Sequence, residues 1–345
     1  MDKSSDDVYL NVTVDENNFF HGAKEIIKQL RPNWPSDQLK FKIFTDGITN
    51  RLIGIYFDEY YNMVLIRVYG KKTNLLIDRQ AEIRNIRILH KAGYTHSLYA
   101  TFNNGLAYEF LPGETLTVET VRRAEIYRLV AKRMAQMHRL DPGDPLIIRK
   151  PMIWEKIECF MSLMPREFED PIKQAKYEKT IKPFEILEQE YKLLKERLSK
   201  LDSPVVYCHN DLLLANILYD KRDKSVVFID FEYTAFNYQA FDIANHFAEF
   251  AGVENIDYSH YPDEALQRSW LRMYLQVYNE CSNVSEDDVT KVHKQVEKFV
   301  LVAHFLWGCW AIVQYNNSSI DFDFLKFSAE RFNEYFRRKQ VLDES

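Results

Sequence analysis

Apolar positions in the first third of the chain come in short runs and alternations, and in the remainder at spacings of three and four. The two patterns predict strands first and helices afterwards. Residues 41–44, 51–57 and 63–69 are short and rich in β-branched and aromatic side chains, with breaks at Asp46-Gly47 and 59–62. A charged helix is predicted over 78–91, where Ile83, Ile86 and Leu89 or His90 share a face. Strand character returns over 97–102 and 106–111 across the Asn103-Asn104-Gly105 turn. After Pro112-Gly113 the period changes to that of long amphipathic helices, over 118–139, 152–163 and 183–201. Strand candidates at 205–208 and 226–231 interrupt them, and everything from Asp242 onward reads helical.

This order predicts an α+β, two-lobe fold: a small lobe with an antiparallel sheet and one helix, then a large, mainly helical lobe. The boundaries expected are a leader with a helix near 23–30, ended by Pro32 and Pro35, over 1–40; a first lobe over 41–112; and a helical lobe over 113–345.

Composition narrows the possibilities. The 345 residues carry a formal net charge of -6 with both signs interspersed, which argues against nucleic acid as a partner. Cys159, Cys208, Cys281 and Cys309 are scattered, without metal-site or disulfide spacing, and read as free thiols. The N-terminus is polar and acidic, unlike a secretory or mitochondrial signal, so a cytoplasmic protein is expected. The apolar stretch 299–313 holds His304 and falls short of the ~20 residues a bilayer crossing needs, so no stable membrane insertion is expected.

The most informative segment runs from Cys208-His209-Asn210-Asp211 to Asn216-Ile217-Leu218, followed by Ile229-Asp230-Phe231-Glu232 at the end of an apolar strand. Any one of these acids alone is more often a solvated turn or a helix cap. Together, an Asp, an Asn five residues later and a strand-end Asp can converge on one point. Phosphoryl transfer needs that set: a carboxylate to take or orient the proton of an attacking hydroxyl, and an amide oxygen with a second carboxylate to hold magnesium. Asp46-Gly47-Ile48-Thr49-Asn50, between two strand candidates, is either an ordinary hairpin turn or a loop over phosphates, in which Thr49 and Asn50 would supply donors. Arg67, mid-strand among apolar residues, needs a countercharge, and Glu82 in the first turns of the next helix is the candidate; the alternative is an exposed edge arginine. Trp307 and Trp310 share a helix face; with Phe327 and Glu249 they could hold an ammonium group, although core packing is the commoner role of such aromatics.

Taken together, these segments resemble the choline/ethanolamine kinase family, and most closely its ethanolamine kinase branch. The likeness runs from about residue 41 to 338. Its most specific blocks are Asp46 to Asn50, Cys208 to Leu218, Ile229 to Tyr233, Asn237 to Phe247 and His304-Phe305-Leu306-Trp307-Gly308. The resemblance implies a protein-kinase-like fold, with ATP and Mg2+ as cofactors and a small amino-alcohol as substrate. Transfer to ethanolamine would be the first step of the CDP-ethanolamine route to phosphatidylethanolamine. It implies Asp211 as catalytic base and substrate contact, and Asn216 and Asp230 as magnesium ligands. Thr49, Asn50, Arg67, Glu82 and the hinge residues Glu109 and Leu111 would serve the nucleotide, and Glu249, Trp307, Trp310 and Phe327 the substrate. His209 and Asp242 are expected to fix loops, and Tyr258 is a candidate cage residue. Monomer and homodimer are both admissible assemblies.

Asp230-Phe231-Glu232 stands where protein kinases have Asp-Phe-Gly, so glycine-dependent loop flipping is not expected. The absence of the three-glycine loop and of the Ala-Pro-Glu signature argues against a protein kinase. Choline kinases tend to carry Gln where Leu213 stands and Tyr where Phe327 stands, which leans toward ethanolamine. The alternatives are a choline or dual-specificity kinase, an aminoglycoside-type phosphotransferase, and a catalytically silent kinase-fold module.

Overall fold

The computed structural model describes residues 8–15, 18–44, 50–70, 76–318 and 320–343; Asp46 to Thr49 and the side chain of Asn50 lie outside the described residues. The chain divides into two compact units, Met1–Glu114 and Thr115–Ser345.

The first unit is built on a six-stranded sheet. Its strands are β1 (Val8–Leu10), β2 (Lys40–Phe44), β3 (Asn50–Tyr56), β4 (Val64–Tyr69), β5 (Leu98–Phe102) and β6 (Gly105–Glu109), in the order β1-β5-β6-β4-β3-β2. All neighbours are antiparallel except β1 and β5. The predicted strands are present within a residue or two, and α2 (Arg79–Lys91) starts where Asp78 caps it by accepting from Gln80 and Ala81 N–H. Two elements set apart in a leader on sequence join this sheet and its core: β1 adds a parallel edge strand, and Ala23, Ile26 and Ile27 of α1 (Phe19–Leu30) share one core with Ile53, Ile55, Val64, Ile66 and Val68. A three-residue parallel edge has no local turn to announce it, which is why the pattern of apolar positions did not reveal it. β4 lies between β3 and β6 with five of its six residues buried, so Arg67 sits in the interior.

The second unit is helical, with two small sheets. β7 (Glu114–Thr115), where the chain passes between units, edges a sheet in the order β10-β9-β7 with β9 (Ile217–Asp220) and β10 (Ser225–Phe228). β8 (Val205–Cys208) pairs antiparallel with β11 (Ala235–Tyr238). The helices are α3 (Ala124–His138), α4 (Ile153–Leu163), α5 (Pro171–Thr180), α6 (Phe184–Leu198), α7 (Gln239–Ala248), α8 (Glu264–Tyr278), α9 (Glu286–Asn317) and α10 (Phe324–Arg338). Sequence periodicity missed α5, only one of whose residues, Tyr177, is buried; Asp170 capping and Pro171 in the first turn were its available signals.

α9, 32 residues long, passes as a membrane span by length and composition, but 89% of its apolar window is buried inside the protein. α7 and α10 pack most extensively on it. Gly308 permits the α10 approach, because a Cβ there would lie 2.9 Å from the ring of Phe332. Gly308→Ala should therefore lower stability by about 1–3 kcal/mol, the usual cost of overpacking; urea denaturation measures it, and an unchanged midpoint would mean that Phe332 moves freely.

Candidate active site

In the first unit, the countercharge that buried Arg67 requires is Glu82, which is 0% exposed. Glu82 also accepts from Arg79 Nη1 at 2.9 Å, and the Arg79 guanidinium lies 4.0 Å from the Tyr69 ring centroid. The ion pair inferred from sequence is present, with Arg79 as a second cation that was not foreseen. At the end of β6 the Glu109 carboxylate accepts from Ser97 N–H at 3.1 Å. The main-chain N–H groups of Glu109 and Phe110 donate to the Ser97 and Met63 carbonyls, so these two amides are already engaged.

The second unit's site is organised by Asp242 near the start of α7. Its carboxylate accepts from His209 N–H at 2.9 Å, Asn210 N–H at 2.7 Å and His138 Nε2 at 2.9 Å. Nδ1 of His138 meets the Tyr274 hydroxyl at 2.6 Å. Burial alone would push the Asp242 carboxyl up; the bonds and charges of His138, His209 and Asn210 outweigh it and hold the carboxyl below its ordinary range. Asn210 has φ 68°, a left-handed conformation uncommon outside glycine, and its side chain stabilises the turn by donating to the Tyr233 and Ala235 carbonyls and accepting from Asn237. His209 Nε2 lies 3.0 Å from the Ile229 carbonyl and ties this loop to the next strand end. His209 and Asp242 thus do fix loops.

The loop so anchored carries Asp211. Burial first, then the charges of Asp230, Glu232 and Glu249, push its carboxyl well above the ordinary range, while Arg331 opposes them. These three acids therefore act electrostatically on Asp211, although 19 to 38 residues separate them from it. Asn216 sits in a single 3-10 turn and spends its amide nitrogen on the Asp211 main-chain carbonyl at 2.9 Å, which leaves its amide oxygen as the available ligand. Ile229 N–H bonds to the Asn216 carbonyl at 3.0 Å, so the two loops are stitched together, and Asp230 follows at φ 64°. Oxygen donors and concentrated negative charge are the chemistry that suits a hard divalent cation.

The aromatic group is contiguous. Trp307 meets Trp310 at 5.7 Å and Tyr233 at 5.5 Å between ring centroids, and Trp310 meets Phe327 at 6.3 Å, all near edge-to-face. Trp307 Nε1 donates to Asn245 Oδ1 at 2.7 Å. Glu249, 3% exposed, is held at Oε1 by Arg331 Nη2 at 2.6 Å. Tyr258 packs edge-on against His304 at 5.5 Å and donates to the Glu330 carbonyl. Sequence reasoning missed Glu232, Tyr233, Asn245 and Arg331 as members of this cluster. The first three stood inside quoted motif blocks, and Arg331 lies four residues after Phe327, on the same helix face.

A family model described as choline/ethanolamine kinase matches residues 41–336. The chain belongs to that family. It is 45% identical over 330 residues to the Mus musculus protein named ethanolamine kinase 2, covering 95% of this chain and 84% of that one. Against Homo sapiens ethanolamine kinase 1 the identity is 44% over 338 residues, 96% of this chain and 75% of the relative. The solved structure of Plasmodium vivax ethanolamine kinase superposes with a TM-score of 0.83 at 28% identity, covering 94% of this chain and 90% of that one. This choline/ethanolamine kinase family member is an ATP-dependent small-molecule kinase with an α+β, kinase-like fold.

Buried His246 supplies a pH test. Burial pulls its pKa down to about 4, while its Nδ1 keeps a 3.0 Å contact with the Leu212 carbonyl. A group whose folded pKa is lowered binds its proton more readily when unfolded. Stability is therefore full above about pH 6.5 and falls as pH drops toward 4, by up to about 1.4 kcal/mol per pH unit for one such group. His246→Gln, which keeps a donor for Leu212, should flatten the melting-temperature profile between pH 6.5 and 4; an identical slope would assign the acid sensitivity elsewhere.

Proposed function

We propose that this protein is an ethanolamine kinase, transferring the γ-phosphoryl group of ATP to the hydroxyl of ethanolamine. Transfer from magnesium-bound ATP would give phosphoethanolamine and ADP. The observation that carries the chemistry is the convergence of Asp211, Asn216 and Asp230, three residues on two stitched loops, within one acidic, oxygen-rich cluster. The ethanolamine reading is supported by the names of the most similar relatives.

In this reading Asp211 takes or orients the proton of the substrate hydroxyl as its oxygen attacks the γ-phosphorus and ADP leaves. Burial and the neighbouring acids raise the proton affinity of Asp211, the direction that favours taking a proton. Asn216 through its amide oxygen and Asp230 through its carboxylate would hold magnesium, with Glu232 adding negative charge nearby. Bound there, magnesium supplies neutralisation of the phosphate charge. Arg67, fixed by Glu82, would face the nucleotide phosphates together with Thr49 and Asn50, and the main chain at Glu109 and Leu111 would meet adenine. Trp307, Trp310 and Phe327 would wall the ammonium end of the substrate, with Glu249 as countercharge.

A primary ammonium has three N–H donors to satisfy and choline's quaternary nitrogen has none, so a carboxylate in an otherwise aromatic pocket favours ethanolamine. Purified protein assayed by ADP release should show a higher kcat/KM for ethanolamine than for choline, and the reverse order would replace the assignment with choline kinase.

Asp211→Asn separates function from stability. Ionised Asp211 is unfavourable in the crowded folded site, so its contribution to stability is full below the unfolded carboxylate pKa of about 3.9 and is lost as pH rises through its raised folded value. The substitution should cut kcat by about 10²–10⁴-fold while the ligand-free protein at pH 7 melts no lower than wild type. Near-normal turnover would remove the base role.

A further inference from the structure

The guanidinium of Arg331 is a buried charge that the reaction as described does not use. Arg331 is 1% exposed, and among the described residues its carboxylate contact is through Nη2 to Glu249 Oε1 at 2.6 Å. Its Nε and Nη1 atoms are buried without a hydrogen-bond partner. Its flat face lies 4.8 Å from the ring centroid of Phe327, the residue that continues the Trp307 and Trp310 wall. The acids nearest to it on α10 are already taken, Glu330 by Lys326 and Glu334 by Arg337 and Arg338.

A charge buried in this way, with two nitrogens unmatched, is a poor device for stability alone, because an apolar side chain of similar volume commonly does as well or better. Its effect is on Glu249. That carboxylate is 3% exposed, and its charge, with those of Asp230 and Glu232, acts on Asp211. Arg331 is a cation that offsets the acids around Asp211. It also fixes geometry: with Oε1 held by Nη2, the Glu249 Oε2 atom carries no hydrogen bond from the described residues and is the free acceptor.

We propose that Arg331 is a positioning residue for the substrate ammonium: by clamping Oε1 of Glu249 it fixes the orientation of that carboxylate, so that Oε2 receives an N–H of the incoming amino-alcohol. The proposal rests on the substrate pocket described under Proposed function. It requires the effect of Arg331 on the amino-alcohol KM to run through Glu249.

The test is a double-substitution cycle on the full chain, reading KM for the amino-alcohol and KM for ATP separately. Arg331→Met should raise the amino-alcohol KM about tenfold or more, as expected for loss of a charge-assisted hydrogen bond, and leave the ATP KM within about twofold. Arg331→Lys, which keeps the charge and loses the planar fork, should fall between wild type and Arg331→Met. Glu249→Gln should raise the same KM, and Glu249→Gln combined with Arg331→Met should raise it no further than the worse single variant. Multiplying KM effects in the double variant, or an ATP KM that rises in parallel, would overturn the proposal. Should Arg331→Met fail to fold, Arg331→Lys and the charge-neutral double variant carry the cycle, and a wild-type KM in Arg331→Lys then overturns it. The series is run with whichever of ethanolamine and choline the wild type prefers, so a preference for choline defeats the substrate assignment and leaves the Arg331 test intact; a wild type that phosphorylates neither defeats both.

Discussion

A single buried carboxylate holds the catalytic loop in place. Asp242 is completely buried, and it is stable there because two main-chain amides and a histidine ring surround it with donors. The amides belong to His209 and Asn210, the two residues before Asp211, so the position of the proposed base is set by a hydrogen-bonded anion in a neighbouring helix. The histidine comes from α3 and is itself held by Tyr274 of α8. Three helices thus converge on the conformation of one loop, and the left-handed backbone at Asn210 is retained because these bonds over-determine it.

Charge is handled in the same way at both candidate sites. In the first unit a central strand buries Arg67, and Glu82 and Arg79 complete the set. In the second unit, Glu249 and Arg331 neutralise each other beside an aromatic wall, while Asp211, Asp230 and Glu232 keep a surplus of negative charge. A surplus of that kind opposes folding in the ligand-free chain, and its oxygen donors are of the kind that suits a hard cation.

The long apolar helix α9 illustrates how packing decides the meaning of a pattern. By composition it is indistinguishable from a membrane span, yet α7 and α10 cover it, and Trp307 and Trp310 on it face Tyr233 and Phe327. Hydrophobicity around the whole helix marks burial and leaves open what buries it.

The sequence by itself determined the strand-then-helix order and most strand positions to within a residue or two, since these depend on local period; it offered Glu82 as a candidate partner for Arg67, and Asp211, Asn216 and Asp230 as candidates for phosphoryl transfer. Tertiary structure alone decided that β1 and α1 belong to the first unit's core, that Arg79 joins Glu82, that Glu232 and Tyr233 enter the acidic and aromatic cluster, and that Glu249 is clamped by Arg331, 82 residues away. The physical reason is range. A cap, a turn or a helix face is fixed by neighbours a few residues apart, whereas the partner of a buried charge is chosen by whichever oppositely charged side chain the folded chain brings into hydrogen-bond reach.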